Sequence, residues 1–158
     1  MSMKKRDISG PILVFSLGES HCALLLPTVE RVVRAAAVTP LPKAPEIVSG
    51  VINVQGRIIP VIDVRSRFRL PERGLRVDDR FIIAHTPTRI VAFAVDSVEG
   101  VRALDVREHA ETDRTLPYAE YLEGIAKTPD GLILIYDIDT FLSLDEEKML
   151  AQSLSEGD

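Results

Sequence analysis

The chain has no tryptophan, one cysteine and only 5% aromatic residues in 158 positions. A lone Cys22 cannot close an internal disulfide, so nothing here calls for an oxidising compartment. Scarce aromatics leave Val, Ile and Leu to fill the interior of a chain that is 46% hydrophobic. Such β-branched richness favours strands. No stretch approaches the ~18 apolar residues of a membrane span. The basic start, Met1-Ser-Met-Lys-Lys-Arg6, lacks the apolar run that would make it a signal peptide. A cytoplasmic protein with no direct membrane insertion is expected. Excess positive charge is missing too: the formal net charge is −5, which argues against nucleic acid as a partner.

Chemistry-bearing patterns are equally scarce. His21 precedes Cys22, but strand neighbours point to opposite faces and cannot share a proton. Cys22 reads as a small core residue. There is no Gly-x-Ser-x-Gly elbow, Gly-x-Gly-x-x-Gly turn or Walker pattern. His21, His85 and His109 stand alone, and Asp137-x-Asp139 lacks the Gly and Glu of a calcium loop. The carboxylates of Asp78-Asp79 and Asp145-Glu146-Glu147 lie in polar stretches and read as solvated. No enzymatic activity, cofactor or metal is expected.

What the chain does have is short apolar segments cut by ten prolines and nine glycines, the pattern of many strands joined by turns. Ile12–Leu17 and His21–Leu26 read as a hairpin through Gly18-Glu-Ser20, ended by Pro27. Thr28 reads as the cap of a helical turn over Val29–Val33. Val51–Val54 and Arg57–Val64 form a second hairpin around Gln55-Gly56, where Gly56 suits positive φ. Leu70–Gly74 is the best internal boundary. Phe81–Ala84 and Ile90–Val95 are apolar at successive residues, which implies burial on both faces. Val98–Leu104 continues as a strand, and Asp105–Leu116 reads as a loop. Gly124–Lys127 and Leu132–Tyr136 make the last hairpin. From Asp137 the spacing of Ile138, Phe141 and Leu142 turns helical, with Asp137 or Asp139 as cap and Met149, Leu150 and Leu154 further along. This pattern fits either two small packed β-barrels or one β-sandwich.

One polar pattern has a geometric consequence. Arg65, Arg67 and Arg69, two apart on a strand, would stack as a cationic ladder. That ladder could bind a nucleic-acid backbone or an acidic helix, or simply guard a solvated edge.

The stretch Gly50-Val-Ile-Asn-Val-Gln-Gly-Arg-Ile-Ile-Pro-Val-Ile-Asp-Val-Arg-Ser-Arg-Phe68 resembles the signature hairpin of the CheW family, the adaptors of bacterial chemotaxis arrays. Phe15–Gly18, Val29–Val33 with Thr39–Pro42, Ala94–Val98, Tyr121–Lys127 and Gly131–Asp137 resemble further family segments in order. The resemblance implies a mainly β fold: two packed SH3-like five-stranded barrels and a C-terminal helix. It divides the chain into a flexible 1–11, a CheW-like domain over 12–144 (subdomains near 12–70 and 76–136) and a helix over 137–155. It implies a stand-alone, non-enzymatic scaffold that joins chemoreceptor cytoplasmic tips to the regulatory domain of a CheA-type histidine kinase. Val29, Gly50 and Val101 carry over from the family's binding positions; Arg57, beside the turn and positioned by the hairpin, is a contact candidate of its own, and Arg31, Asn53 and Gln55 complete the expected partner-binding residues. Two positions depart from the family. Its turn usually reads Arg-Gly where this chain has Gln55, and it favours Glu where this chain has Arg31. Both departures point towards a CheW-like adaptor of a non-flagellar pathway, such as twitching motility or gene regulation, as an alternative.

Overall fold

The computed structural model describes residues 10–104, 109–110 and 119–156. Among the described residues there are eleven strands: β1 (Gly10–Leu17), β2 (Ser20–Leu25), β3 (Val29–Arg34), β4 (Val48–Val54), β5 (Arg57–Ile62), β6 (Arg80–His85), β7 (Ile90–Val95), β8 (Ser97–Leu104), the two-residue β9 (His109–Ala110), β10 (Leu122–Thr128) and β11 (Gly131–Tyr136). They make two sheets, a first with the order β8-β1-β2-β11-β10-β9 and a second with the order β3-β6-β7-β5-β4. Two helices follow strands: α1 (Val64–Arg67) and α2 (Leu144–Glu156). The fold is mainly β, with two SH3-like subdomains and a C-terminal helix. Residues 1–9 and most of the expected loop Asp105–Leu116 lie outside the described residues.

Both sheets follow one plan. Each holds one parallel pair, β11 with β2 and β5 with β7. The hairpins match pair for pair: Val48↔Ile62, Gly50↔Val61 and Val54↔Arg57 in one, Leu122↔Tyr136, Gly124↔Ile135 and Thr128↔Gly131 in the other. An aspartate caps the turn after each: Asp63 Oδ1 accepts from Ser66 N–H, and Asp137 Oδ1 from Asp139 N–H. In the second sheet the five strands run consecutively along the chain. In the first they are permuted, because the N-terminal hairpin β1–β2 supplies the partner of β11. Sheet membership therefore does not divide at Leu70–Gly74: β1 and β2 belong with β8–β11.

Side-chain alternation explains how the sheets pack. On β1, Ile12 and Val14 enter one cluster with Ala23, Ala126, Ile133 and Ile135, inside the first sheet. On β6, Phe81 and Ile83 join Ile52, Ile59, Val61 and Ala92 inside the second. The alternate residues Leu13, Phe15, Ile82, Ala84 and Phe93 meet in a third cluster shared by both sheets. Burial on both faces of β6 and β7 is thus real, and its cause is the shared cluster. Phe141 and Leu150 bring the C-terminal segment into the same cluster.

Three local readings are corrected. Val29–Arg34 is a strand, and the helical turn is Leu26–Thr28 before it. The β-branched side chains of Val29, Val32 and Val33 suit a ladder with β6 better than a helix. Arg65 and Arg67 lie on α1, where the Asp63 cap ends the strand at Ile62. The C-terminal helix starts at Leu144, after a 3-10 turn at Ile138–Thr140. Its start is a capping box: Glu146 N–H donates to Ser143 Oγ (3.1 Å), and Ser143 N–H to Glu146 Oε1 (2.8 Å).

Cys22 is buried in the shared cluster, and its neighbour His21 is exposed on the other face. Burial, reinforced by Glu99 and Asp96, pushes the thiol up to about 12. A maleimide should leave the native protein unmodified at neutral pH and label it fully in urea. Rapid labelling of the native protein in a mass spectrum would refute this burial.

Candidate partner-binding surface

The β4–β5 hairpin turns through Gln55 (φ 53°) and Gly56 (φ 87°). Two positive φ values make a turn whose twist matches the strands. Asn53 Oδ1 accepts the Gly56 N–H at 2.9 Å, so this side chain pins the turn. Gln55, Gly56 and Arg57 are exposed, and Ile58 is 55% exposed.

Across from this turn lies a bulge in β3. Val29 pairs with Ala84 and Arg31 with Ile83, which leaves Glu30 unpaired in the ladder. A bulge re-aims its side chain, and here Glu30 turns to Arg57. Arg57 Nη1 donates to Glu30 Oε1 at 3.0 Å, and Nη2 donates to Oε2. The hydrogen bond from Arg57 holds the Glu30 carboxyl below the usual carboxylate range. Arg31 Nε lies 3.8 Å from the same carboxylate. Arg31, Asn53, Gln55 and Arg57 are thus gathered at one end of the second sheet, with two guanidinium groups around one glutamate.

The other expected residues take different places. Val29 is half-buried against the shared cluster. Gly50 is buried, and a Cβ there would lie 2.2 Å from the Thr39 carbonyl oxygen. Close backbone packing accounts for that glycine. Val101 belongs to the first sheet, where it pairs with Leu13 and is 60% exposed. It lines a groove of about 360 Å³ with Leu132, Thr128 and the His21–Glu99 pair.

The first sheet repeats the motif. Glu99 also sits at a register shift, between Val98 and Gly100, and accepts from Ser16 Oγ (2.9 Å) and contacts His21 Nδ1 (2.8 Å). Leu132 stands opposite Lys127 as Ile58 stands opposite Asn53, each about half exposed. The surface therefore has two similar ends, one on each sheet.

Residues 11–146 match the CheW-like domain. The chain belongs to the CheW-like domain family. It is 31% identical to the chemotaxis protein CheW of Thermotoga maritima over 135 residues, covering 83% of this chain and 86% of that one. The chemotaxis protein CheW of Klebsiella aerogenes is 30% identical over 139 residues, covering 85% and 82%. The crystal structure of the scaffolding protein TtCheW from Thermoanaerobacter tengcongensis superposes with a TM-score of 0.80 at 34% identity. That match covers 90% of this chain and 99% of that one.

Measured against the family pattern, the departures at Gln55 and Arg31 have a structural counterpart. The charges lie one position earlier on β3 and two later on the hairpin. The bulge at Glu30 lets these shifted positions meet, whereas regular pairing would send Glu30 to the opposite face from its neighbours. Ile58 leaves a readable signal in the sequence, an apolar residue beside the exposed turn of the hairpin. The partners of Glu30 and Glu99 had none, because a bulge leaves no mark in residue spacing.

The cationic ladder is absent. Arg65 donates to Asp96 at 2.7 Å and Arg67 to Glu146 at 2.6 Å, on a helical turn rather than one strand face. Arg69 has φ 53° and points its backbone out of the run. Two of the three charges are neutralised, so the nucleic-acid reading loses its footprint. Among the described residues, no three His, Cys, Asp or Glu side chains gather to hold a metal ion, and no helix is long and apolar enough to cross a membrane.

Proposed function

We propose that this protein is a non-enzymatic cytoplasmic adaptor that couples chemoreceptor tips to the regulatory domain of a CheA-type histidine kinase. One observation carries the reading: nearly the whole chain superposes on a scaffolding protein of the family at 34% identity. A receptor tip is a helical bundle, and such a bundle docks by laying apolar positions into a groove rimmed by polar groups. Val29 and Val101 supply apolar contact from the two sheets, while Arg31, Gln55 and Arg57 form the polar rim. Gly50 and Asn53 shape the hairpin that presents them. The kinase domain is held at the barrel ends, so both partners are engaged at once.

Calorimetric titration against the regulatory domain of each CheA-like kinase of its own organism tests the reading. Micromolar or tighter binding to one of them supports the adaptor role, and no binding by folded protein overturns it. The same titrations decide a second reading, a CheW-like adaptor of a non-flagellar pathway, which Gln55 and Arg31 favour. Binding only the kinase of such a pathway would establish it.

The charge pair gives a sharper expectation. Arg57→Glu sets two carboxylates against each other and should weaken receptor-tip binding about tenfold, the effect of one mispaired interfacial charge. Combining it with Glu30→Arg should restore most of the affinity. Unchanged affinity of the single variant would remove this end of the sheet from the contact surface.

A further inference from the structure

We infer that Asp96 is a positioning residue, a clasp whose carboxylate fixes how the two sheets sit against each other. The chain passes between the sheets twice. Leu26–Thr28 joins β2 to β3, and Asp96 alone joins β7 to β8. The first crossing carries no charged residue. The second carries a network.

Asp96 Oδ2 accepts the Gly18 N–H, in the β1–β2 turn of the first sheet, at 2.8 Å. Its backbone N–H donates to the Ser16 carbonyl at 2.9 Å. Its Oδ1 accepts from Arg65 on α1, which directly follows β5 of the second sheet, and from Arg73 (2.7 and 2.5 Å). Arg73 in turn is gripped by both oxygens of Asp79, at 2.8 and 2.9 Å, and Asp79 is buried just before β6. One carboxylate thus ties the opening hairpin of the first sheet to two elements of the second.

Apolar packing also joins the sheets here, since Val95 next to Asp96 and Val64 next to Arg65 are buried in the shared cluster with Leu17. On the second sheet's side the network borders a cavity of about 730 Å³ lined by Val61, Phe81, Ala94, Arg73, Asp79 and Asp96. The apolar cluster supplies contact without direction, and the ionic contacts supply the direction. Charge-assisted hydrogen bonds to a guanidinium are directional as well as strong. Burial works to raise the Asp96 carboxyl, but Arg65, Gly18 and Arg73 hold it below the usual range. The clasp stays ionised near neutral pH.

The consequence for binding rests on the adaptor reading, since a helical bundle spanning both sheets needs their spacing held. The position of the sheets can be measured without any partner. Spin labels at Arg34→Cys on β3 and Lys127→Cys on β10, both exposed, would report the inter-sheet distance, with buried Cys22 left unlabelled. Asp96→Asn should keep a cooperative melt while broadening the distance distribution, and should weaken receptor-tip binding about tenfold, as expected for losing charged hydrogen bonds. Should Asp96→Asn fail to fold, Arg65→Gln, which leaves the Gly18 and Arg73 bonds in place, should show the same broadening. A distribution as narrow as that of the unmutated protein would overturn the inference. Failure of the unmutated protein to bind any tip would instead count against the adaptor reading, and the distance measurement would still decide the clasp.

Discussion

Gly50→Ala is expected to destabilise the fold by about 3 kcal/mol or more, beyond most overpacking substitutions. The added Cβ would lie 2.2 Å from the Thr39 oxygen, 2.8 Å from its carbonyl carbon and 2.8 Å from Val38 Cγ1. None of these atoms except the last can rotate away. The Thr39 oxygen is fixed because Val51 N–H donates to it at 2.8 Å, and Thr39 N–H returns a bond to Val51 at 2.9 Å. This bridge brings the chain after β3 onto β4, so the two edges of the second sheet are linked through it. Gly50 also follows the register shift after Val48, with φ 152°, outside the range that alanine adopts easily. The substitution should therefore lower the melting temperature strongly. Partner affinity, measured where the variant is still folded, should change far less. The opposite pattern, a normal melt with lost binding, would make Gly50 a contact residue.

Gly50 also shows where reading the sequence reaches its limit. Alternating and doubly apolar segments predicted nearly every strand, and Gln55-Gly56 predicted its turn, because these are local consequences of side-chain period and backbone freedom. Val29–Val33 reads locally as a helical turn because Thr28 looks like a cap, while the β6 partner that makes it part of a strand lies some fifty positions away. The arginine run was misread for a related reason. Asp63 three residues before Ser66 is itself a cap signal, and it outweighs the strand period that Arg65, Arg67 and Arg69 suggest. The exchange of the N-terminal hairpin into the first sheet could not be read locally at all. Leu70–Gly74 is a real break in composition, but composition marks loops and not sheet membership. For the proposed surface, Gln55 and Val101 come from the family pattern and Arg57 from its place beside the hairpin turn, and the structure adds the link that joins Arg57 to Glu30.

Phe141→Ala should cost about 3–5 kcal/mol, the range for removing a buried phenylalanine. Phe141 is 1% exposed and touches four rings: Phe68 (5.4 Å), Phe93 (5.9 Å), Tyr121 (6.4 Å) and Tyr136 (6.1 Å). Phe93 belongs to the second sheet, Tyr136 to the first, and Phe68 to the segment after α1. In a chain with few aromatics, this group concentrates much of the large buried surface at the place where the sheets meet. Edge-to-face contacts add to the area term, so the loss should exceed that of an aliphatic residue in one sheet's own interior. Denaturant unfolding decides more than the magnitude. If the shared cluster binds the sheets into one cooperative unit, both the parent and the variant should unfold in one transition, with the midpoint shifted and the slope kept. Two separated transitions in the variant would mean that each sheet is stable alone. In that case Phe141 would hold their mutual position while contributing little to their folding. An adaptor that grips two partners needs its two faces at a fixed separation. The single transition is the outcome that a cluster fed by both sheets and the C-terminal segment requires.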